Sequence, residues 1–184
     1  MRLFVGLPLP EDLRQRLAGL GSGLPGARWV APDNLHVTLR FIGEVDDGEA
    51  EDLDAALGLI RAPAFDVTVG GVGCFDRGRE VHTVWAGVEA GEAIGHLYEK
   101  VESAVVRTGC QPERRKFKAH VTLARLRGTP VRRVGDYIQT RQGFHGGTFT
   151  AHRFTLFCSH LGHTGAHYEA LVDYPLDAPL DVGA

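Results

Sequence analysis

The sequence is poor in cysteine and has no long apolar run. Its three cysteines, Cys74, Cys110 and Cys158, form no CxxC pair, and we predict no disulfide framework. Their odd number is typical of a reducing compartment, so we expect a cytoplasmic protein. The opening apolar stretch ends at Pro8, too early for a signal peptide. Because no window approaches the roughly 20 apolar residues of a membrane span, no membrane partner is expected.

A strong net charge is also lacking, since 20 basic and 23 acidic side chains leave −3 overall. The distribution along the chain is less even. Between Arg107 and Arg141 lie ten of the Lys and Arg residues and only two acids, Glu113 and Asp136. A local positive field suits a phosphate-bearing ligand. A charge cluster by itself is more often a solvated arginine-rich surface, so this alternative stays open.

Length and periodicity predict an α+β fold. The 184 residues fit one domain, and we expect residues 1–184 to form a single unit. Apolar spacing predicts helices over Glu11–Leu20, Ala50–Ile60, Ala93–Val106 and Pro130–Thr140. The main predicted strands are Arg2–Leu7, Leu35–Ile42, Phe65–Val72, Val81–Val88, Ala119–Leu126, Thr148–Ser159 and His167–Val172. This mixed order favours antiparallel sheets over a doubly wound parallel sheet. The last ten residues are expected to form a tail or an edge segment.

The tetrapeptide HVTL occurs twice, at His36–Leu39 and again, 84 positions later, at His120–Leu123. Both copies lie in predicted strands, where alternate side chains point to opposite faces. The His and Thr of each copy therefore share one face, and the Val and Leu share the other. Because each half of the chain holds one copy, we expect two pseudo-symmetric antiparallel-sheet lobes with helices outside. The two motifs are expected to line a central cleft between these lobes.

Two histidines and two threonines in such a cleft suit chemistry at phosphorus. General acid–base catalysis near neutral pH needs one neutral imidazole to accept a proton and one imidazolium to donate a proton. Threonine hydroxyls donate hydrogen bonds to phosphate oxygens, and nearby arginines add charge-assisted contacts. Arg40 has the strand parity of His36. Arg125 has the opposite parity to His120, so it reaches the pocket only where the strand bends, bulges or ends.

The longer segments Leu35–Gly43 and His120–Arg125 resemble the paired HxTx signatures of the two-histidine phosphoesterase superfamily. More closely, the chain is similar to bacterial and archaeal RNA 2′,3′-cyclic phosphodiesterases, also called 2′-5′ RNA ligases. The likeness covers nearly the whole chain and includes Arg2–Val5, Arg28–Val30, Val84–Val88 and Tyr168–Leu171. It implies a bilobal fold and hydrolysis of a terminal RNA 2′,3′-cyclic phosphate to a 2′-phosphate, without metal or cofactor.

The resemblance also implies roles for individual residues. By position in the motifs, His36 is expected to donate a proton to the leaving 3′ oxygen. His120 is expected to accept a proton from the attacking water. Thr38 and Thr122 would hold phosphate oxygens, and Arg125 matches the family's arginine after the second motif and would bind the substrate phosphate. The parity of Arg40, described above, makes it a candidate for a share of that contact.

Two other functions stay open at this point. One is 2′-5′ ligation of RNA ends, such as tRNA halves, in the same site, with a 5′-hydroxyl replacing water. The other is an RNA- or nucleotide-binding module without turnover, against which the intact pair of motifs argues. In each case the expected partner is RNA with a 2′,3′-cyclic phosphate end. We expect no obligate protein partner and a monomeric protein.

The sequence contains other histidines and aromatic residues that are candidate functional groups. The spacing of His160, His163 and His167 fits one helical face, but glycines interrupt it, so no metal site is predicted there. We expect these three histidines in a loop near the cleft. Phe117, which lies among basic residues, is a candidate for stacking on a base. Trp85, flanked by valines, is expected to pack in the core.

Overall fold

The computed structural model describes residues 1–163 and 165–177, in which nine strands form one antiparallel sheet alongside four α-helices. The strands are β1 (Arg2–Pro8), β2 (Ala27–Trp29), β3 (His36–Glu44), β4 (Phe65–Arg77), β5 (Glu80–Glu89), β6 (His120–Leu126), β7 (His145–Ala151), β8 (Arg153–Gly162) and β9 (Gly165–Pro175). The helices are α1 (Glu11–Ala18), α2 (Asp47–Gly58), α3 (Ala93–Arg107) and α4 (Val131–Thr140), and a 3₁₀ helix spans Pro32–Asn34. The predicted α+β class is confirmed.

The sheet consists of two four-stranded lobes that meet at the motif strands. Its order is β7-β4-β5-β6-β3-β1-β8-β9, and β2 pairs along the free part of β6. The first lobe comprises β3, β1, β8 and β9, and the second comprises β6, β5, β4 and β7. Each motif strand is the innermost strand of its lobe, so the expected pseudo-symmetric pair of antiparallel lobes is confirmed.

The chain crosses between the lobes more often than its linear order suggests. Helix α1 follows β1 of the first lobe but packs beside β7 of the second, where α4 contacts β5. Helix α3 follows β5 of the second lobe but packs on β3, together with α2. The lobes are therefore not consecutive halves of the chain. The first lobe is covered by α3, which follows a strand of the second lobe, and the second lobe by α1, which follows a strand of the first.

Side-chain alternation separates a helix-covered face of the sheet from the face that carries the motif histidines. In β1, Leu3, Val5 and Leu7 are fully buried in a core that also contains apolar residues of all four helices. Phe4 is also buried, yet it lies at the alternate position and outside this core cluster. Phe4 is therefore buried on the second face, by the aromatic side chains described below.

Some predicted boundaries were wrong. Helix α2 begins at Asp47 rather than Ala50, because Asp46 forms a capping box in which its side chain accepts from the Glu49 N–H at 2.8 Å. The single strand predicted over Thr148–Ser159 is two strands, since the chain leaves β4 after β7 and joins β1 as β8. Most of the expected tail, residues 178–184, lies outside the described residues.

No helix within residues 1–163 and 165–177 combines the length and apolar character needed to cross a membrane.

Candidate active site

The two motif strands are neighbours, and their register is set by Val37 opposite Val121. Both valines are fully buried in the core. Since alternate side chains of a strand point to opposite faces, the His and Thr of both motifs lie together on the other face. In an antiparallel pair the flanking residues face each other crosswise, so each motif histidine lies toward the threonine of the other strand. The structure thus brings together the four motif residues that the sequence singled out.

His36 is held at both ring nitrogens. Its Nδ1 lies 2.7 Å from the carbonyl oxygen of Asn34, and its Nε2 lies 2.8 Å from the hydroxyl of Thr38. A carbonyl oxygen can only accept, so Nδ1 carries the hydrogen. In the neutral ring Nε2 then accepts from the threonine hydroxyl. Proton exchange at His36 is therefore confined to Nε2.

His120 is oriented in the same way but has different neighbours. Its Nδ1 donates to the carbonyl oxygen of Lys118 at 2.7 Å, and its Nε2 bonds no group of the described chain. The Phe75 ring meets it edge-on at 4.9 Å between centroids, and the Trp85 ring centroid is 6.4 Å away. The Lys118 ammonium lies 4.4 Å from the centroid of Trp85. Trp85 is therefore part of the site face, and its expected place in the core was wrong.

The first histidine has an aromatic enclosure. The ring centroids of Phe4, Tyr168 and Phe157 lie 4.8, 5.3 and 6.0 Å from that of His36. These side chains come from three strands of the first lobe, and Tyr168 meets both His36 and Phe4 edge-on. The first lobe therefore surrounds its histidine with apolar rings, whereas the second lobe places an ammonium group beside its own.

These surroundings keep both imidazoles neutral at pH 7. Burial lowers the pKa of His36 to about 4, against the backbone hydrogen bond that raises it, and the charges of His120 and Arg125 lower it further. Burial also lowers the pKa of His120, against its own backbone hydrogen bond, and the charges of Arg125 and Lys118 act in the same direction. An anion between the two rings would counter these effects, because it favours the charged imidazolium.

A β-bulge brings Arg125 to the site face. In the β5–β6 register Thr83 lies opposite Arg125, but Trp85 lies opposite Thr122, so one residue of β6 is skipped. The side chains that follow an unpaired residue point to the opposite face from the one that regular alternation along the strand predicts. Arg125 therefore lies on the side of His120, and its guanidinium donates to the Thr83 hydroxyl at 3.3 Å. The bulge that its predicted role required is present.

The matching bulge in β3 turns Arg40 away, which corrects the expectation that it shares the phosphate contact. Val5 lies opposite Arg40 and Gly6 opposite Thr38, so the alternation is again inverted by a skipped residue. Arg40 is 7% exposed. Its guanidinium pairs with Glu102 of α3 and donates to the carbonyl oxygens of Phe41 and Gln111. Arg40 therefore ties the first motif strand to the segment that leads into the second.

Phe41 takes the place in the first lobe that Arg125 has in the second. Both follow the bulge by the same number of residues, and Phe41 pairs with Phe4 on the site face. Its ring is 40% exposed, and the Arg2 guanidinium carbon lies 5.0 Å from its centroid. The two motifs are identical over four residues, but their strands present an aromatic ring in one lobe and a cation in the other.

His160 and His167 lie in β8 and β9 rather than in the expected loop, and neither faces the cleft. His160 and His167 form a cross-strand pair at the end of the β8–β9 hairpin, at the parity of buried Cys158 and opposite to that of Tyr168. His163 lies in the adjoining turn. Throughout the described chain, no cluster of His, Cys, Asp or Glu is suited to a metal ion.

The Phe117 ring is partly buried and already stacks on a side chain of this protein, so its role in stacking on a base stays a prediction. Its ring lies against Tyr98 of α3, with centroids 4.3 Å apart and planes 7° from parallel. Sequence reasoning gave no site role to Phe4, Phe75, Phe157 or Tyr168. A signal was present for Phe4, because an apolar residue between the core positions of β1 indicates a strand covered on both faces.

Comparison with known proteins agrees with this geometry. The model of the LigT-like phosphoesterase family matches the chain twice, over residues 7–85 and 87–168, and each match contains one HVTL motif. An RNA 2′,3′-cyclic phosphodiesterase of Aeropyrum pernix is 37% identical over 108 residues, which cover 58% of this chain and 61% of that protein.

Two further relatives match over more of their length. A protein of the same name from Methanothermobacter thermautotrophicus is 29% identical over 175 residues, covering 91% of this chain and 95% of that protein. The crystal structure of E. coli LigT complexed with 3′-AMP superposes with a TM-score of 0.78 at 29% identity, over 95% of this chain and 97% of that one. Because the family model matches both segments that carry a motif, and the fold superposes over 95% of this chain, the chain belongs to the LigT-like phosphoesterases of the two-histidine superfamily.

Proposed function

We propose that this protein hydrolyses the 2′,3′-cyclic phosphodiester at the end of an RNA to a 2′-phosphomonoester, without a metal or cofactor. The observation that carries the proposal is the pair of imidazoles on one sheet face, each with Nδ1 held by a backbone carbonyl, so that proton exchange takes place at Nε2. The names of the Aeropyrum and Methanothermobacter relatives support the choice of substrate. The E. coli relative with bound 3′-AMP supports a ribonucleotide in the cleft.

Each imidazole has one role in the proposed reaction. Nε2 of His120 accepts a proton from water as the water oxygen attacks phosphorus. The bond from phosphorus to the 3′ oxygen breaks, and Nε2–H of His36 donates a proton to that oxygen. His36 must be protonated beforehand, which its pKa of about 4 disfavours in the free protein. The anionic phosphate of the substrate raises that pKa on binding and so charges the donor.

The remaining motif groups hold the phosphate. The hydroxyls of Thr38 and Thr122 donate to its non-bridging oxygens, and the Arg125 guanidinium adds a charge-assisted contact. We propose that residues 1–184 act as one bilobal unit, because the described residues of both lobes share one core. We propose a monomer in the cytoplasm, where the three cysteines stay as the free thiols seen here.

The test uses a synthetic oligoribonucleotide that ends in a 2′,3′-cyclic phosphate, incubated with the protein and a chelator. A 2′-phosphate product, identified by phosphorus NMR, is expected. A 3′-phosphate product contradicts the assignment of the leaving oxygen. Binding without product supports the non-catalytic module instead. Adding RNA with a 5′-hydroxyl tests the same displacement with that hydroxyl in place of water, since a longer, 2′-5′-linked product would show ligation in the same site.

A further inference from the structure

Two arginines lie directly opposite each other on the site face. In the β2–β6 register Arg28 pairs with Arg125, while Trp29 and Ala27 on either side pack toward the core. Residues directly opposite in an antiparallel pair have Cβ atoms about 5 Å apart and share a face. Arg28 therefore lies beside Arg125 on the side of His120. Like charges in this arrangement destabilise a sheet unless an anion lies between them.

In the part of the chain that the structure describes, no carboxylate pairs with either Arg28 or Arg125. The side-chain hydrogen bond of Arg125 goes to the neutral hydroxyl of Thr83. By contrast, Arg40 has a buried carboxylate partner. A single guanidinium group can bind phosphate in a bidentate manner, so two adjacent, exposed groups without a carboxylate partner are suited to binding phosphate.

The pair extends the site away from the reacting phosphate. Arg125 follows Thr122 by three residues, and the bulge shortens the separation, so the pair starts roughly 7–10 Å along the strand from that threonine. The charge of Arg125 lowers the pKa of both histidines, whereas Arg28 is not among the groups that affect either one. Arg28 is therefore the more distant cation, at a separation that one sugar–phosphate unit can span.

We propose that Arg28 forms a second phosphate subsite next to Arg125: Arg125 contacts the reacting phosphate, and Arg28 binds the internucleotide phosphodiester on the 5′ side of the cyclic end. This inference rests on the proposed function and specifies its substrate class. The protein then selects oligonucleotides, which carry such a phosphodiester, over a nucleoside 2′,3′-cyclic monophosphate, which carries none.

The test compares two substrates with the same terminal nucleoside, a 2′,3′-cyclic mononucleotide and the dinucleotide that ends in it. Arg28→Ala is expected to lower kcat/KM at least about tenfold more for the dinucleotide than for the mononucleotide, as loss of a charged hydrogen bond does. Arg28→Lys should restore part of the difference. The variant should also reduce the slope of log(kcat/KM) against log salt for the dinucleotide by about 0.7, one phosphate contact. The matched control is Arg133→Ala, an exposed arginine of α4, for which the substrate ratio should stay unchanged.

Two results would overturn the subsite. Equal losses on both substrates would place Arg28 at the reacting phosphate, and no loss on either would remove it from the site. Because Arg28 is exposed and faces a like charge, the variant is expected to melt no lower than the parent protein. Calorimetric binding of the 2′-phosphorylated dinucleotide and mononucleotide gives the same comparison without turnover. An inactive protein that still prefers the dinucleotide would therefore count against the proposed hydrolysis alone.

Discussion

Val37 lies opposite Val121, and within the described chain this is the one register pair that joins the two motif strands. Beyond this pair, the edge of β6 that faced β3 pairs with β2, while β3 remains paired with β1 along its other edge. The strands therefore meet where the motifs begin and separate afterwards. This geometry holds the histidines close together and places Phe41 and Arg125 on diverging walls.

Loss of either motif imidazole should remove activity. His36→Ala and His120→Ala are each expected to lower kcat on a cyclic-phosphate RNA by at least about a hundredfold, because each removes one proton-transfer group. Steady-state rates with a chelator present measure the effect. His96→Ala, at an exposed position on α3, is the control and should keep full activity. Full activity in either motif variant would falsify the two-histidine mechanism.

Binding of a phosphate-bearing ligand should raise the pKa of His36. In the free protein its pKa is about 4, mainly because the aromatic enclosure disfavours the imidazolium. A phosphate anion beside Nε2 favours the imidazolium, so the pKa should move upward. The measurement is an NMR titration of the histidine ring signals with and without a saturating nucleoside 2′-phosphate. An unchanged or lower value with ligand bound contradicts the proposed proton donor.

Burial of His36 should make the protein less stable in mild acid. Its pKa is lower in the folded state than the ordinary 6.5, so between pH 6.5 and about 4 the unfolded chain binds more protons. Stability therefore falls as pH drops through this window, by up to roughly 3 kcal/mol from this group. His36→Gln removes the titrating ring. Urea unfolding at pH 7 and pH 4.5 should show a smaller acid loss in the variant, and equal losses would contradict the prediction.

Replacing the two arginines of the motif strands should have different effects. Loss of Arg40 should mainly lower stability, and loss of Arg125 should mainly lower activity. Arg40→Ala leaves the partly buried Glu102 carboxylate unpaired and is expected to lower the free energy of unfolding by about 3–5 kcal/mol. Arg125→Ala should change stability by no more than about 0.5 kcal/mol, as at other exposed sites, but should reduce kcat/KM.

A double variant provides the control for the buried pair. Arg40→Met combined with Glu102→Leu removes both charges, so it should recover much of the stability that Arg40→Ala loses. Denaturant unfolding of all four proteins gives the comparison. Equal stability losses in Arg40→Ala and Arg125→Ala would contradict the different environments assigned to the two side chains.

Gly73 of β4 should be intolerant of a side chain, because Trp85 lies on it. A Cβ at Gly73 would lie 2.3 Å from the Trp85 ring, so Gly73→Ala must displace the indole that supports His120. We expect a loss of about 1–3 kcal/mol in stability and a lower kcat. Gly135→Ala in α4 meets no atom within 4 Å and should leave kcat unchanged while stabilising the helix by up to about 1 kcal/mol. Similar kcat values for the two variants would show that Trp85 does not support the site.

Much of the site could be predicted because it depends on short-range alternation. In a strand, His36 and Thr38 must share a face whatever surrounds them, and the repeat in the second motif strand obeys the same rule. The apolar periods likewise predicted the four helices to within a few residues. The sequence did not predict where one strand ends and the next begins in another lobe. Nothing in the local pattern shows that residue 152 separates two strands of different lobes.

The sequence by itself determined the paired motifs, the face that each presents and the type of chemistry those groups allow. Only the tertiary structure decided which arginine lies on the site face, because two bulges invert the alternation after Leu39 and Leu123. Bulges are set by pairing with neighbouring strands, which a pattern along one strand does not contain. The same long-range pairing placed Tyr168 against His36 and Arg28 against Arg125. Identical tetrapeptides thus acquired an apolar setting in one lobe and a cationic setting in the other.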